Sequence, residues 1–271
     1  SEFAVGLPMT IIAKALGVGI DDLDTFKKWS DDLVMPVGNP DPSIDKVRDY
    51  LISLKGFNEF FGNLLIERRT NPTEDIISDV ATAEVNDEEL NDAEMLSMLQ
   101  QFLVAGNETT TKLLTNLIHR LAVDSELEDK LRSNPDLIDN FIEEGLRYEA
   151  PVGGLFRMAK EDTQVNDIEI KAGDHLWVIY AAANRDPAIF DNPDDFLVDR
   201  ENAREHLAFG HGEHYCIGAL LARKEARIAI QLLLANIENI QLVEDKNKYE
   251  YEESFVLRGL KELHVSYDVI S

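Results

Sequence analysis

The chain contains one cysteine, Cys216, and it lies in the glycine-rich stretch FGHGEHYCIGALLAR, residues 209–223. A helix is predicted directly after the thiol, so free backbone N–H groups and the positive helix end favour a thiolate there. Gly210 and Gly212 permit a tight turn with positive φ, and Gly218 lets a flat, bulky group approach without meeting a Cβ. The pattern indicates that the Cys216 sulfur is a ligand next to a narrow space that a flat group can enter.

Other interpretations of this stretch start from the same residues. A lone cysteine is commonly a small buried hydrophobe. Zinc is suggested by His206, His211 and His214 near Cys216, although no second cysteine completes a usual ligand set. A nucleophilic Cys–His pair is also possible in principle, but no third group that would orient the histidine is evident.

A second polar cluster interrupts a long apolar helix pattern. Asn91 and Glu94 form a predicted capping box, and GNETTT at 106–111 falls in the middle of the helix. These residues are poor helix formers, and their hydroxyls can bond carbonyls one turn earlier, so a local distortion is predicted. Polar groups between apolar flanks are costly when buried, which favours a functional role.

The stretch FGHGEHYCIG resembles the haem-binding signature of cytochromes P450, Phe-x-x-Gly-x-His/Arg-x-Cys-x-Gly. The resemblance implies haem b, with Cys216 as the axial thiolate ligand of the iron and His214 at a propionate. It also implies that the strand residue Arg157 binds a propionate. The cofactor-binding residues implied are Cys216, His214, Arg157, Phe209, Gly210, Gly218, Ala105 and Gly106.

The segment AGNETT resembles the distal-helix motif of the same family, Ala-Gly-x-Asp/Glu-Thr-Thr. By that resemblance Gly106 leaves room for O2, and Glu108 and Thr109 form the catalytic acid–alcohol pair that relays protons. The family's structural ion pair would be Glu144 and Arg147, at i,i+3 spacing.

In the family a third member from the segment before the Cys loop joins that pair. Asp195 stands where many members have Arg, so Arg200 is the predicted third member. Six residues are expected to line the substrate pocket, and the paired glycines among them suggest extra room or a flexible wall: Val152, Gly153, Gly154, Leu155, Phe255 and Val256.

The predicted fold is mainly α with a minor β region, resembling a P450 fold that lacks roughly its N-terminal third. Residues 1–271 are expected to form a single partial P450 domain. Residues 1–150 are predicted to be helix-rich, with the first half of the chain wholly helical, and 151–271 to hold a small sheet, the haem-thiolate loop and the proximal helix. That helix is predicted to run to about residue 237, and the chain to end as strand, turn, strand.

The composition limits the partners. An acid excess gives a net charge of −26, which argues against nucleic acid and anionic membranes. No long apolar run or secretory signal is present, so a cytoplasmic monomer is expected.

The resemblance implies O2, a small apolar organic substrate and a ferredoxin-like or flavin-containing electron donor, docking near the basic cluster Arg223, Lys224 and Arg227.

The favoured function is a haem-thiolate monooxygenase, an oxidoreductase that inserts one oxygen atom from O2 into its substrate. One alternative is a haem-binding or peroxide-dependent protein without coupled monooxygenase activity. Another is a non-enzymatic fragment or interaction protein that does not retain haem.

Overall fold

The computed structural model describes residues 2–19, 22–85 and 87–270. Helices dominate and short antiparallel strand pairs are the minor component, as the sequence predicts. The helices are α1 Glu2–Leu16, α2 Leu23–Leu33, α3 Ile44–Thr70, α4 Ile76–Ala81, α5 Asp92–Val123, α6 Ser125–Ser133, α7 Ile138–Tyr148, α8 Tyr180–Ala183 and α9 Ala219–Asn236. The strands are β1 Glu84–Val85, β2 Glu88–Glu89, β3 Leu155–Met158, β4 Thr163–Val165, β5 Ile168–Ile170, β6 His175–Val178, β7 Ile237–Leu242 and β8 Val265–Val269.

The chain divides into two compact units, Ser1–Lys112 and Leu113–Ser271. The first unit is built on an aromatic core between α2 and α3. Phe57 and Phe61 lie one turn apart on α3 with ring centroids at 4.4 Å, and both are fully buried. Phe26 of α2 packs 6.2 Å from Phe61. Residues four apart share a helix face, so the α3 spacing itself selects this core.

Helix α5 begins at the predicted capping box. The Asn91 side chain accepts the Glu94 N–H at 3.1 Å, and the Glu94 carboxylate accepts the Asn91 N–H at 2.9 Å. The helix continues without interruption through residues 106–111, so the predicted distortion is not observed. The Thr109 hydroxyl does bond back to the Ala105 carbonyl, at 2.8 Å.

The first half of the chain contains a short strand pair that was not predicted. The short β1–β2 pair makes that half not wholly helical. A 3₁₀ turn, Pro135–Leu137, leads into α7. Among the described residues, no helix is long and apolar enough to cross a bilayer.

The second unit holds the small sheet as separate two-stranded pairs. Strand β3 pairs with β6, and β4 with β5. Asn166 and Gly173 turn the chain with φ of 51° and 91°. Near the C-terminus, α9 ends at Asn236, close to the predicted boundary, and β7, which was not predicted, pairs with β8. The first of the two strands predicted after residue 253 is reduced to isolated bridges, Val152 to Leu257 and Tyr251 to Leu260.

Candidate functional site

The cysteine loop is closed by its own backbone. The Cys216 N–H donates to the Phe209 carbonyl at 2.9 Å, and the Ala219 N–H donates to the Cys216 carbonyl at 3.3 Å as α9 begins. Gly210 and Gly212 have φ of 70° and 72°, a region that other residues rarely adopt. The glycines therefore allow the turn that sets the thiol at the start of a long helix.

Cys216 is exposed and lies next to an exposed apolar side chain. That side chain is Ile217, which is 88% exposed. A Cβ added at Gly218 would lie 3.8 Å from the Cys216 Sγ, while one at Gly212 would meet nothing within 4 Å. A large exposed apolar side chain next to an exposed thiol is the surface that a flat apolar ligand would cover. These residues fit a haem held through its iron.

The arginine and the histidine that the resemblance assigns to the haem propionates lie on β3 and in the cysteine loop. Arg157 is half-buried on β3, and its guanidinium donates to the Phe156 carbonyl at 2.9 Å. Within the described ranges, no carboxylate pairs with Arg157, although acidic residues outnumber basic ones by 52 to 26. His214 lies exposed in the 3₁₀ turn Gly212–His214. Both side chains are free to meet propionates.

A buried ion cluster lies at the C-terminal half of α7. Arg147 donates to both Glu144 oxygens at 2.7 Å, and the Arg200 Nε lies 3.1 Å from each of them. The structure thus brings together the three residues that the sequence grouped. Both arginines also donate to the Asp195 backbone carbonyl, at 2.9 and 3.1 Å, so the side chain at 195 is not needed. Buried charges are tolerated when paired and hydrogen-bonded in this way.

A second buried carboxylate, Glu143, is 2% exposed and was not predicted as a site residue. Arg223 of α9 donates to its two oxygens at 2.7 and 3.0 Å, and His206 Nε2 lies 3.0 Å away. Burial alone would raise the pKa of Glu143, but the bonds from His206 and Arg223 outweigh it and lower the pKa to about 2. In the sequence EEGLR, Glu143 directly precedes Glu144, and this second acid was a signal for a separate role. The sequence did not indicate that its partners are His206 and Arg223.

This pairing changes the predicted basic cluster on α9. The Arg223 side chain is 25% exposed and bonded to Glu143, and Arg227 lies 3.4 Å from Asp139. The cluster is therefore largely neutralised by acids of α7. Lys224 keeps its place in the docking hypothesis, but Arg223 does not present a free charge there.

The expected distal residues on α5 belong to the first compact unit. Ala105 is exposed and Gly106 is half-buried. A Cβ at Gly106 would come within 3.0 Å of Ile12 Cδ1, so this glycine has a packing reason as well as the predicted one of leaving room for O2. Thr109 is half-buried and bonded to the carbonyl one turn earlier.

Glu108 is buried and bonds away from Thr109. Its carboxylate accepts from Lys112 Nζ at 3.1 Å, four residues on, and from Asn107 at 3.2 Å. The Ser30 hydroxyl of α2 lies at 3.5 Å. The two members of the expected acid–alcohol pair are thus neighbours in sequence whose side chains have different partners.

The two pocket segments predicted from the sequence meet through their backbones. The Gly153 N–H donates to the Val256 carbonyl at 2.7 Å. Phe255 is 44% exposed, whereas Val256 is 5% exposed and packs inward. The predicted extra room at the glycines is wrong for Gly154, because a Cβ there would lie 2.6 Å from Trp177 Nε1 and from a backbone oxygen. Close packing explains this glycine. Val152 is half-buried and Leu155 is exposed.

A family model described as "Cytochrome P450" matches residues 46–264. The chain belongs to the cytochrome P450 family. A cytochrome P450 of Bacillus subtilis is 38% identical over 98% of this chain, and a steroid C26-monooxygenase of Mycobacterium tuberculosis is 33% identical over 97%. The chain spans 64% of the length of the first relative and 70% of the second.

Solved structures show the same fold. P450BioI, in complex with an acyl carrier protein ligated to hexadec-9Z-enoic acid, superposes with a TM-score of 0.90 at 35% identity. That match covers 98% of this chain and 68% of P450BioI. Haem b is the cofactor of this family.

The zinc hypothesis loses its support. In residues 2–19, 22–85 and 87–270, no group of three or more His, Cys, Asp or Glu side chains could hold a metal ion. His206 is bonded to Glu143, while His211 and His214 lie exposed on the loop. The spacing that suggested zinc is therefore not a ligand set in the fold.

Proposed function

We propose that this chain binds haem b through Cys216 and acts as a haem-thiolate monooxygenase on an apolar organic substrate. The observation that carries the proposal is the exposed Cys216 thiol, held by a glycine loop at the start of α9 beside uncovered apolar surface. When bound, haem supplies the redox chemistry of O2 activation.

The protein's own groups then have distinct tasks. The N-terminus of α9 favours the thiolate form of Cys216. Arg157 and His214 would hold propionates, and Phe209, Gly210 and Gly218 would shape the proximal side of the site. Glu144, Arg147 and Arg200 keep the framework behind it fixed through charge-assisted hydrogen bonds.

Proton delivery is assigned to α5. Thr109 Oγ1 would donate a proton in the distal pocket and be resupplied from the Glu108 carboxyl. Both groups would first have to change partners, Thr109 leaving the Ala105 carbonyl and Glu108 leaving Lys112. Ala105 and Gly106 would border the space above the cofactor.

The substrate class rests on the relatives and on the exposed apolar surface. One relative is named for a steroid and one neighbour holds a fatty acyl group. Phe255, Phe156 and Trp177 form an exposed aromatic cluster, with ring centroids 5.7–6.1 Å apart. We expect the pocket wall to be formed by residues 152–155 together with Phe255 and Val256. We expect a ferredoxin-like or flavin-containing donor to supply electrons. Cytoplasmic, monomeric behaviour without nucleic acid or membrane partners stays part of the proposal.

The test supplies the haem-loaded chain with hexadec-9Z-enoic acid, isotopically labelled O2, NADPH, a ferredoxin and its reductase. The proposal predicts hydroxylated product carrying one labelled atom from O2. In Thr109→Ala we expect product per NADPH to fall about a hundredfold, the lower end of the effect of a positioned proton donor. Thr110→Ala, at the next position of α5, is the control. Product formation that is unchanged in Thr109→Ala would contradict the role of this hydroxyl.

A second candidate function has its own observation. Because Glu108 is engaged by Lys112, the acid is withdrawn from Thr109 in this structure, which favours peroxide-dependent chemistry that needs no proton relay. Replacing the donor system with hydrogen peroxide separates the two. Product with peroxide alone supports the second function, and product only with the donor system supports the first.

A further inference from the structure

The carboxylate of Glu143 lies at the centre of a chain of contacts that ends at the cysteine loop. Its two oxygens accept from the Arg223 guanidinium at 2.7 and 3.0 Å. This is a two-point contact with a side chain that is 2% exposed. The geometry joins α7 to α9 directly behind the loop.

Arg223 contacts the loop at both of its ends. The guanidinium lies over the Phe209 ring, 4.5 Å from its centroid, and Nη1 donates to the Tyr215 hydroxyl at 3.2 Å. Tyr215 immediately precedes Cys216, and the Phe209 carbonyl accepts the Cys216 N–H at 2.9 Å. One side chain therefore spans the two residues that close the loop around the thiol.

His206 fixes the chain where it enters the loop. The Ala208 N–H donates to its Nδ1 at 3.1 Å, so the ring proton lies on Nε2 and points to Glu143 at 3.0 Å. The ring also packs 5.8 Å from Phe209. Glu143 thus sets the orientation of both side chains that support the loop.

We propose that Glu143 and Arg223 are positioning residues for the cysteine ligand, a task separate from that of the Glu144 cluster. Glu144 and its arginines bond to one another and to backbone groups of residues 184–197, outside the loop. Removal of either Glu143 or Arg223 leaves the other charge buried and frees both ends of the loop. The Cys216 N–H then loses its fixed acceptor.

The decisive comparison is Arg223→Met against Arg227→Met in the full chain. Both arginines lie on α9 and pair with an acid of α7, but Arg227 is half-exposed and its partner is Asp139. Hydrogen–deuterium exchange of the loop, residues 207–217, is measured without haem. We expect exchange about tenfold faster in Arg223→Met, equivalent to about 1.4 kcal/mol, the order of a lost hydrogen bond. Exchange in Arg227→Met should match the parent.

Glu143→Gln and Tyr215→Phe are milder substitutions, and they keep the proposal testable if Arg223→Met fails to fold. Gln keeps one acceptor for Arg223, and Phe removes only the hydroxyl of a half-exposed residue. Both should accelerate loop exchange less than Arg223→Met while leaving exchange in α7 unchanged. Loop exchange equal to the parent in Arg223→Met and Glu143→Gln, or equal acceleration in Arg227→Met, would overturn the proposal.

A spectroscopic readout rests on the proposed haem site. In the reduced carbon monoxide complex, we expect the share of thiolate-ligated haem to fall in Arg223→Met and not in Arg227→Met. Should no haem bind to any variant, the proposed function fails, whereas the exchange comparison still decides the role of Glu143 and Arg223. A normal thiolate spectrum in Arg223→Met would count against the positioning role.

Discussion

At the residue scale, Glu225 is a buried carboxyl on α9 that the proposed chemistry does not use. It is 5% exposed, and its Oε2 has no hydrogen-bond partner in the described part of the chain. Its neighbours one turn away on the helix, Leu221 and Ala229, are apolar. Burial raises the pKa of Glu225 from 4.5 to about 7.

A raised carboxyl pKa makes folding stability depend on pH. The unfolded chain ionises Glu225 near pH 4.5 and the folded chain near pH 7, so this residue costs stability increasingly as pH rises through that interval. Glu225→Gln removes the ionisation. The measured quantity is the melting temperature of Glu225→Gln minus that of the parent. We expect this difference to be larger at pH 8 than at pH 5 by about 3 °C or more. A variant-to-parent difference that is the same at both pH values would contradict the account.

At the element scale, the features predicted well are those set by neighbouring residues. The start of α5 follows from Asn91 and Glu94, and the cysteine loop from its glycines, because caps and turns are local. Strand β7 was missed because its partner β8 lies more than twenty residues further on. The partners of Glu143 were missed for the same reason, since His206 and Arg223 meet it only in the fold.

The close approach of β3 and β6 gives a prediction about packing. A Cβ at Gly154 would lie 2.6 Å from the Val178 carbonyl oxygen, which is backbone and cannot rotate away. We expect Gly154→Ala to lower the free energy of unfolding by about 1–3 kcal/mol, the usual cost of overpacking. Urea unfolding measures this change. Gly153→Ala is the matched control, because its Cβ would make an ordinary 3.6 Å contact with the Val256 carbonyl oxygen. An equal decrease in the free energy of unfolding in the two variants would refute this explanation.

At the scale of the whole molecule, family membership, fold class and cofactor follow from motifs spread along the chain. The family model covers residues 46–264, and the chain spans 64% of the first relative's length. The net charge of −26 argues against nucleic acid as a default partner, but composition does not identify the substrate. Segments distant in sequence meet only in the fold, as the backbone contact of Gly153 with Val256 shows, and composition carries no information about such contacts.

The central claim is that the lone cysteine binds haem iron as a thiolate. The most direct measurement is the carbon monoxide difference spectrum of the reduced, haem-supplied chain, compared with that of Cys216→Ser. The account predicts a strongly red-shifted Soret band in the parent, typical of thiolate ligation, and its loss in the variant. A parent spectrum without that band, or the same spectrum in both proteins, would contradict it.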